Sequence, residues 1–327
     1  MKKSNLILLF CFTIILAFPH SSWTAGYPSR DIKVIVPWGA GGGSDLDTRL
    51  MCKYMSKYLG VGMFVVNIPG GGTTIGIKNL MKSDPDGYTI GSGITSANLS
   101  LYPKIVKGAG FGIDAITPLF FYDMVPMALV VRADSPWKSL ADFVADAKKH
   151  PGQYKHGSVG AVSIGNIVFE MINHYAGTQT RHVPFKSTGE TLTAILGGHV
   201  DITFAFSLGG GLMEAGKIRV LAVASPERMD LLPNVPSLKE LGYPVFYHAE
   251  HGMFCPNGTP RGVQDILVQA GKRAFEEHGK QMTKEFADIS LVSSWGDQKN
   301  YEKVLVETSK TYDYFIDVLK LPTYPTK

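Results

Sequence analysis

Short apolar runs alternate along the first two thirds of the chain with segments in which apolar residues return every three or four positions. The runs are typical of strands covered on both faces of a sheet. Alternating strands and helices favour an α/β fold with largely parallel pairing. Eight strands are predicted: Ile32–Val36, Phe64–Asn67, Thr89–Ile94, Met127–Arg132, Lys155–Ser158, His182–Phe185, Asp201–Phe206 and Arg219–Ala224.

Helix boundaries can be read from capping residues. Ser44 is the predicted N-cap of the first helix, which Gly60 ends. A second helix is expected to begin near Thr73 or Thr74, and Ser139 opens another capped helix. From Arg261 the chain is predicted to be mostly helical, with no strand after its last helix.

The amino terminus has the pattern of a secretory signal. Lys2 and Lys3 precede an apolar run from Leu6 to Phe18, and small and polar residues follow up to Gly26. The run is short for a membrane span, although an uncleaved anchor is the alternative. We therefore predict a cleaved signal peptide over residues 1–26 and a periplasmic mature chain.

Composition narrows the class of protein. The chain has 327 residues, 45% of them hydrophobic and 18% charged, which fits a globular protein of about two domains. Its formal charge of +4 falls to about +2 without Lys2 and Lys3. Without a long basic run, no nucleic-acid partner is predicted. Cys52 and Cys255 are expected to be unpaired, buried thiols.

Three glycine-rich segments each lie between a predicted strand and a predicted helix: Gly39–Ser44, Asn67–Thr74 and Gly157–Asn166. Glycine lets backbone N–H groups approach a ligand, and a helix N-terminus attracts anions. Such loops gather at the carboxyl ends of parallel strands, where ligands bind. The alternative is that these glycines only form tight turns.

The sequence does not match the motifs of the enzyme and cofactor sites that its glycine loops and polar residues bring to mind. The first loop has Ser44 where a dinucleotide fingerprint needs glycine, and the second strand ends in Asn67 rather than an acidic residue. No nucleophile elbow occurs. His248, Glu250, His251 and Cys255 form a metal-like group, but a connecting strand with polar edges explains it better. We predict no catalytic residue, no metal and no cofactor.

Several motifs together resemble one family. They are "YPSRDIKVIVPWGAGGGSD" from Tyr27, "PGGGTTIG" from Pro69, "DPDGYTI" from Asp84, "HVPFKSTGETLTAILGGHVD" from His182, "AGKIRVLAVASPER" from Ala215, "LPNVPSLKELG" from Leu232 and "PNGTP" from Pro256. In this order they are similar to the solute receptors of tripartite tricarboxylate transporters, the TctC/Bug family. The resemblance covers essentially the whole mature chain.

The resemblance implies a periplasmic-binding-protein-like fold with two lobes that close on a ligand, a Venus flytrap. Each lobe would be a mainly parallel sheet flanked by helices. Residues 27–126 and 253–327 would form the first lobe and residues 127–252 the second. Closure about a hinge is a common means of ligand capture.

The family's binding positions can be carried onto this chain. They fall on Trp38, Gly41, Gly42, Gly43, Ser44, Asp45, Gly71, Gly72, Thr73, Thr74, Ser163, Gly165, Asn166 and Ser207. The chain departs from the family pattern at Asn166, where His is frequent, at Ala205-Phe206, and at Glu250-His251, where aromatic or basic residues are usual. Lys186 is the one positively charged loop residue that is predicted as a candidate contact for the ligand.

The function implied by the resemblance is a monomeric, non-enzymatic receptor. It would capture a small organic carboxylate, such as a di- or tricarboxylate or an aromatic acid, and deliver it to two integral membrane subunits of the transporter. The first alternative is a receptor that presents its ligand to a membrane sensor kinase. The second is an α/β enzyme, against which the missing catalytic motifs argue.

Overall fold

The computed structural model describes residues 26–124, 127–161, 163–185, 188–206, 211–213, 215–225, 227–229, 232–245, 247, 250–288, 291–321 and 324–325. All but the last residue of the predicted signal peptide therefore lies outside the described residues. Within the described ranges, none of the helices is both long and apolar enough to cross a membrane.

Strands and helices follow one another along most of the described chain. The strands are β1 (Ile32–Val36), β2 (Met63–Asn67), β3 (Thr89–Ile94), β4 (Val106–Lys107), β5 (Thr117–Met124), β6 (Met127–Arg132), β7 (Lys155–Ser158), β8 (Arg181–Pro184), β9 (Ile202–Phe206), β10 (Ile218–Val223), β11 (Glu250–Cys255), β12 (Val292–Gly296) and β13 (Tyr324–Pro325). The helices are α1 (Gly43–Leu59), α2 (Thr74–Met81), α3 (Ser96–Ser100), α4 (Tyr102–Ile105), α5 (Leu140–Lys149), α6 (Ile164–Ala176), α7 (Thr188–Leu196), α8 (Arg261–Asp288) and α9 (Gln298–Leu319).

Two sheets organise these elements. The first has six strands in the order β12-β5-β11-β3-β1-β2, and the second has five in the order β10-β6-β9-β7-β8. The expected α/β fold with two helix-flanked sheets is confirmed. A small third sheet pairs β13 with β4.

Strand direction corrects one detail, because each large sheet is mixed rather than mainly parallel. β1 is parallel to β2 and β3, and β7 is parallel to β8 and β9. β11 is antiparallel to β3 and β5, β12 is antiparallel to β5, and β6 is antiparallel to β9 and β10. Parallel pairing needs a crossover connection, usually a helix. β5 instead precedes β6 of the other sheet without an intervening helix, and β11 belongs to the six-stranded sheet again.

The chain thus has strands in the six-stranded sheet, then in the five-stranded sheet, then in the six-stranded sheet again. We retain the division into lobes at residues 127 and 252 as a proposal. β11 already begins at Glu250, close to that second boundary.

The core lies on both faces of the six-stranded sheet. Ile32 and Val34 of β1 belong to a buried cluster with Met51 of α1. Ile35 points the other way, into a cluster with Tyr301 of α9. This alternation is that of a strand buried on both faces.

Most local expectations hold, with several corrections. β4, β5 and β12 were not predicted, and β13 follows α9 where no strand was expected. α1 begins at Gly43 with Gly42 as its N-cap, so Ser44 lies inside the first turn instead of capping it. Gly60 ends α1 in a left-handed conformation, and Ser139 caps α5, as predicted. Cys52 and Cys255 are buried and unpaired, also as predicted.

Candidate ligand-binding site

One edge of the six-stranded sheet gathers the elements of the site. β1, β2 and β3 run parallel, so their carboxyl ends share this edge. β11 runs the other way and begins here, since Gly252 pairs with Ile94 near the end of β3. β5 ends here, because Asp123 pairs with His251. The first two glycine loops and the start of β11 are therefore neighbours.

Asp45 organises the first glycine loop. Its carboxylate accepts hydrogen bonds from Gly41 N (2.9 Å), Asn67 Nδ2 (3.0 Å) and Arg49 Nε (3.0 Å). Burial raises the pKa of Asp45, but these hydrogen bonds outweigh it and hold the pKa below its usual range. Asp45 is 2% exposed, and its oxygens are engaged within the loop. It therefore holds the loop in shape rather than offering a free carboxylate.

The same loop presents backbone outward. Gly41, Gly42 and Gly43 are exposed, and Ser44 is half-buried. Trp38 is half-buried at the base of the loop and donates its indole N–H to the Gly93 carbonyl at 2.8 Å. The Trp38 N–H is thus satisfied within the protein, which leaves the ring face as its means of contact with a ligand.

Ser44 is connected to a buried group of charged side chains. Its Oγ lies 3.0 Å from Nε2 of His251. Nδ1 of the same ring contacts the Asp47 carboxylate and lies 3.3 Å from Asp123 Oδ1. The His251 backbone N–H also donates to Asp123 Oδ1 at 3.0 Å. We call Asp47, Asp123 and His251 the buried triad.

Charges and burial in the triad shift the pKa values of His251 and Asp123. Burial lowers the pKa of His251, but the two carboxylates outweigh it and raise that pKa well above its usual value. Burial raises the pKa of Asp123 to about 7, against the opposing effect of His251 and together with the repulsion from Asp47. His251 is therefore an imidazolium at neutral pH.

Hydroxyl groups surround the triad. Thr48 Oγ1 lies 3.2 Å from Asp47 Oδ1 and 3.0 Å from Ser92 Oγ, and the Tyr122 hydroxyl lies 2.9 Å from Ser92 Oγ. Tyr122 also donates to Asp47 Oδ1 at 3.3 Å. This network fixes the Asp47 carboxylate below the first loop.

The spacing of the same three side chains would also allow them to hold a metal ion, since their ligand atoms lie within 4.8 Å of one another. Nδ1 of His251 faces both carboxylates, which is the arrangement of a protonated nitrogen that donates to them. The group considered from sequence proximity (His248, Glu250, His251 and Cys255) differs from it. His248 lies outside the described residues, and the absence of a bound metal stays a prediction.

Glu250 is a separate buried acid beside the triad. Its Oε1 accepts a hydrogen bond from Ser96 N at 3.2 Å, and its Oε2 has no hydrogen-bond partner among the residues that the structure describes. Burial raises the pKa of Glu250 to about 8. The side chain is therefore mostly protonated at neutral pH.

The second glycine loop has an unusual backbone. Gly70, Gly71 and Gly72 all have positive φ, and Thr73 has φ 74°, a conformation that costs about 1–2 kcal/mol outside glycine. Thr74 begins α2, and its buried hydroxyl has no hydrogen-bond partner in the described part of the chain. Strain and an unsatisfied hydroxyl are both common at binding sites.

The third loop belongs to the five-stranded sheet. Ser158 ends β7, and its Oγ lies 2.6 Å from His182 Nε2 and donates to the Gly160 carbonyl at 3.0 Å. Ser163 caps α6 by accepting from Asn166 N at 3.3 Å, and it donates to Ser158 Oγ at 3.0 Å. Burial lowers the pKa of His182, so this imidazole is neutral at neutral pH.

Asn166 is used inside the third loop. Its Oδ1 lies 2.8 Å from His156 Nε2, and its Nδ2 donates to the Ala161 carbonyl at 2.9 Å. His156 stacks on Phe169 with ring centroids 4.3 Å apart. Burial lowers the pKa of His156 to about 4, partly offset by the hydrogen bond to Asn166. Asn166 therefore holds the loop, with a half-buried side chain.

Tyr102 brings the loops of the two sheets together. It is buried in α4, and a hydrogen bond links it to the backbone of Ile164, the first residue of α6. A side chain at Gly72 would place its Cβ 3.6 Å from the Tyr102 ring. Gly165 is buried in the first turn of α6. Tyr102 thus connects the second loop with the start of α6 beside the third loop, a contact that the sequence did not predict.

Two expected positions, Ser207 and Lys186, lie outside the described residues. Elsewhere on the surface, grooves of about 300 and 360 Å³ are lined by residues such as Asp114, Asn257 and Glu302. The residues lining these grooves include none of the predicted site positions.

Comparison with known proteins identifies the family. A sequence model of the tripartite tricarboxylate transporter family receptor, TctC, matches residues 48–321. The chain belongs to the TctC family. One relative, from Agrobacterium vitis, is named a UPF0065 protein in the TAR-I ttuE-ttuC' intergenic region. It is 32% identical to this chain over 290 residues, which cover 85% of this chain and 82% of the relative.

Solved structures agree with this assignment. A protein described as a periplasmic transporter is 29% identical, with a TM-score of 0.79 over 91% of this chain and 100% of that one. A Rhodopseudomonas palustris protein with adipate is 23% identical, with a TM-score of 0.81 over 91% of this chain and 99% of that one, and shows the shared fold. This chain is therefore a periplasmic TctC/Bug-type solute-binding receptor, from a family of receptors rather than enzymes.

Within this TctC-family receptor, His251 is the functional candidate that sequence reasoning missed. In the sequence, Glu250-His251 is a departure from the family pattern and part of a metal-like group, and neither feature indicates a role in ligand binding. The available signal was Asp123, the one charged residue in the apolar stretch from Leu119 to Met127; its partners Asp47 and His251 lie far from it in the sequence. Their meeting depends on the pairing of β11 with β5, which the sequence alone did not show.

Proposed function

We propose that this receptor binds a small organic carboxylate between the loop edges of its two sheets and delivers it to two integral membrane subunits of a tripartite tricarboxylate-type transporter. The observation that carries this proposal is the start of α1. There, exposed Gly41 and Gly42 precede a 17-residue helix that begins at exposed Gly43, and Ser44 is in contact with a positively charged imidazole.

Helix geometry supports an anionic ligand. The first N–H groups of a helix have no partner within the helix and carry the positive end of its dipole. α1 offers these groups beside exposed glycines, and α2 begins at the adjacent loop. A carboxylate placed there could accept several backbone hydrogen bonds at once.

The unsatisfied hydroxyl of Thr74 supports a ligand or ordered water at the second loop. A buried hydroxyl without a partner costs about 1–3 kcal/mol. Thr74 is 2% exposed, so bulk water does not satisfy it. A ligand oxygen or a water molecule held with the ligand would remove this cost.

Available cations limit the ligand's charge. Arg49, the arginine nearest the first loop, is paired with Asp45 at 2.9 Å. None of the predicted site positions in the described chain is an arginine or a lysine. Backbone N–H groups and hydroxyls therefore provide most of the binding, which favours a ligand with one or two carboxylates.

The predicted site residues take different parts in this proposal. Backbone N–H groups of Gly42–Ser44 and Gly71–Thr73 and the Thr74 hydroxyl would bind the carboxylate, and the Trp38 ring would cover it. The Gly41 N–H is donated to Asp45 and would hold the first loop in shape. Asp45 and Asn166 would hold their loops in shape. Ser163, Gly165 and Ser207 would face the ligand from the other sheet.

The proposal is tested by a thermal-shift screen of the mature chain, unfolded and refolded to remove any co-purified ligand. The panel contains adipate, malate, aromatic carboxylates, acidic amino acids, nucleotides and amines. A ligand at about a hundred times its dissociation constant stabilises the protein by roughly 2.7 kcal/mol. We expect stabilisation by one class of carboxylate. Stabilisation by nucleotides or amines alone would contradict the proposal.

Delivery needs a second measurement. Uptake of the identified acid is compared in cells that contain the two membrane subunits with and without this receptor. We expect uptake to require both. Binding without any effect on uptake would contradict the transport role and leave the binding result intact.

A further inference from the structure

We propose that His251 is a positioning and specificity-determining residue of the carboxylate site: held by Asp47 and Asp123, its imidazole donates to Ser44 Oγ, so that the Ser44 hydroxyl hydrogen is directed at the ligand. This inference rests on the proposed carboxylate-binding function. It adds a buried side chain that would select for anions without touching them.

The orientation of the ring is fixed by the two carboxylates. Nδ1 contacts the Asp47 carboxylate and lies 3.3 Å from Asp123 Oδ1, while the backbone N–H of His251 also donates to Asp123. Acceptors on this side require Nδ1 to carry a hydrogen. Nε2 is then the nitrogen that faces Ser44, at 3.0 Å.

The protonation state of Nε2 decides what Ser44 can do. A neutral imidazole with hydrogen on Nδ1 would accept the Ser44 hydrogen, and Ser44 would show a lone pair to the ligand. An imidazolium instead donates from Nε2, and Ser44 accepts. In the described part of the chain, His251 is the only hydrogen-bond partner of Ser44 Oγ, so a His251 that donates leaves no protein acceptor for the Ser44 hydrogen. The Ser44 hydrogen is then free for a carboxylate.

Surrounding charges favour the imidazolium. Asp47 lies on α1 and Asp123 on β5, and both carboxylates raise the pKa of His251. The other titratable groups around the triad are Cys52, Tyr122, Glu250 and Tyr301, all buried and all with raised pKa values, so all are neutral at neutral pH. No lysine or arginine of the described chain pairs with either carboxylate of the triad, which leaves His251 as their cation.

The position of the ring suits this role. His251 is only 5% exposed, and Ser44 lies between it and the exposed glycines of the loop. A ligand that touches Ser44 would therefore be influenced by the imidazolium through one hydrogen bond. Hydrogen bonds that involve a charged group are roughly twice as strong as neutral ones.

Two amide variants distinguish the roles of the two ring nitrogens of His251. His251→Gln can place an amide N–H near the position of Nε2, whereas His251→Asn can place one only near Nδ1. Ser44→Ala removes the hydroxyl, and Ser44→Thr keeps it. Each variant is unfolded with denaturant to measure its stability, and its affinity is measured for the acid that stabilises the wild type most among adipate, malate, benzoate and glutamate.

We expect Ser44→Ala and His251→Asn each to weaken binding by roughly 10- to 100-fold, as for loss of a hydrogen bond to a charged group. His251→Gln and Ser44→Thr should stay within about 5-fold of the wild type, since each keeps the necessary group. Equal affinity for Ser44→Ala and the wild type would overturn the proposal. So would equal losses for His251→Gln and His251→Asn.

A ligand-free measurement separates this inference from the function on which it rests. Imidazole nitrogen resonances of the wild type, assigned with His251→Gln, report whether both nitrogens carry hydrogen at about neutral pH. We expect a doubly protonated His251. A neutral ring would overturn the inference even if carboxylates bind, and failure of every acid in the panel would overturn the proposed function.

A metal in the triad is the remaining outcome. The purified protein is treated with a chelator and then offered Zn²⁺ or Mn²⁺. We expect neither treatment to change affinity or the His251 resonances. Loss of binding on chelation, restored by one of these ions, would show a metal centre and overturn the proposal.

Discussion

A serine–histidine pair occurs at the loop edge of each sheet, but the two pairs differ in charge. Ser44 lies 3.0 Å from His251 in the six-stranded sheet, and Ser158 lies 2.6 Å from His182 in the five-stranded sheet. The pKa of His251 is raised well above its usual value, while the pKa of His182 is lowered. The same two side chains thus have opposite electrostatic characters.

The difference comes from their neighbours. His251 contacts two buried carboxylates, whereas His182 lies beside the neutral His156 ring at 5.1 Å and is affected mainly by burial. Ser158 donates its hydrogen to the Gly160 carbonyl, but Ser44 has no such acceptor in the described chain. We infer that the six-stranded sheet provides the anion-binding side and the five-stranded sheet recognises the rest of the ligand.

The largest expected effect comes from blocking the first loop. Gly42→Val should weaken carboxylate binding by more than about 100-fold, because a side chain would cover the N–H groups at the start of α1. Gly42 suits this test better than Gly71, since its φ of −79° accepts a side chain whereas Gly71 has φ 57°. Calorimetry measures the affinity.

The matched control is Gly279→Ala, at a position in α8 with open space around its Cβ. It should leave affinity unchanged, and both variants should unfold near the wild-type denaturant concentration. Wild-type affinity in Gly42→Val would remove the first loop from the site and with it the contrast between the sheets.

Stability should depend on pH in opposite directions on the two sides. The pKa of Glu250 is raised from 4.5 to about 8, so its contribution is present below the unfolded-state pKa and is lost as pH rises through about 8. The pKa of His156 is lowered from 6.5 to about 4, so its contribution is present above the unfolded-state pKa and is lost as pH falls through about 4.

Urea unfolding over pH measures both effects. As the pH rises from about 5 to about 9, the free energy of unfolding of Glu250→Gln should increase by roughly 2–4 kcal/mol relative to that of the wild type. As the pH falls from about 7 to about 4, the free energy of unfolding of His156→Gln should decrease by roughly 1–3 kcal/mol less than that of the wild type. Parallel curves for a variant and the wild type would show that the substituted group does not titrate as described.

Asp123→Asn should destabilise the protein by roughly 1–3 kcal/mol, because Asp123 lies 3.3 Å from Nδ1 of His251 and accepts its backbone N–H in a buried site, and the amide cannot carry its negative charge. In the pair of Ser158 and His182, the substitution His182→Gln should lower the free energy of unfolding by less than about 1 kcal/mol, since no ion pair is lost. Equal losses in denaturant unfolding would mean that the two pairs do not differ in charge.

The smallest effect is expected from Thr74→Val. This change removes a buried hydroxyl without a partner, so the ligand-free protein should be as stable as the wild type or more stable by about 1 kcal/mol. Affinity for the carboxylate should fall severalfold. Lower stability without ligand would show that the hydroxyl is already satisfied.

Local signals in the sequence were sufficient for most strands. β1, β3, β6 and β7 have the predicted bounds. β1 and β6 are largely apolar runs flanked by turn or polar residues, whereas β7, Lys-His-Gly-Ser, is not apolar. β5 was missed since Pro118 and Asp123 interrupt its apolar pattern, and β12 since it reads as Val-Ser-Ser-Trp-Gly. Their place in the sheet depends on antiparallel neighbours distant in the chain.

The glycine loops of the candidate site were also predictable, since glycine between a strand and a helix has a local meaning. The triad was not. In the sequence, Asp47 is one of several polar residues near the start of the first predicted helix, and His251 can be related only to its sequence neighbours. Their contact requires β11 to pair with β5 under α1, a relation between residues more than a hundred positions apart.

The central claim is that the site selects negative charge, and calorimetry with a carboxylate and its neutral counterpart tests it most directly. The stripped wild type is titrated with the best acid of the panel and with the corresponding amide. We predict that the acid binds and that the amide binds at least about 100-fold more weakly, because α1 and Ser44 then lose their charged partner. Equal affinities for acid and amide, or binding of the amide alone, would contradict the account.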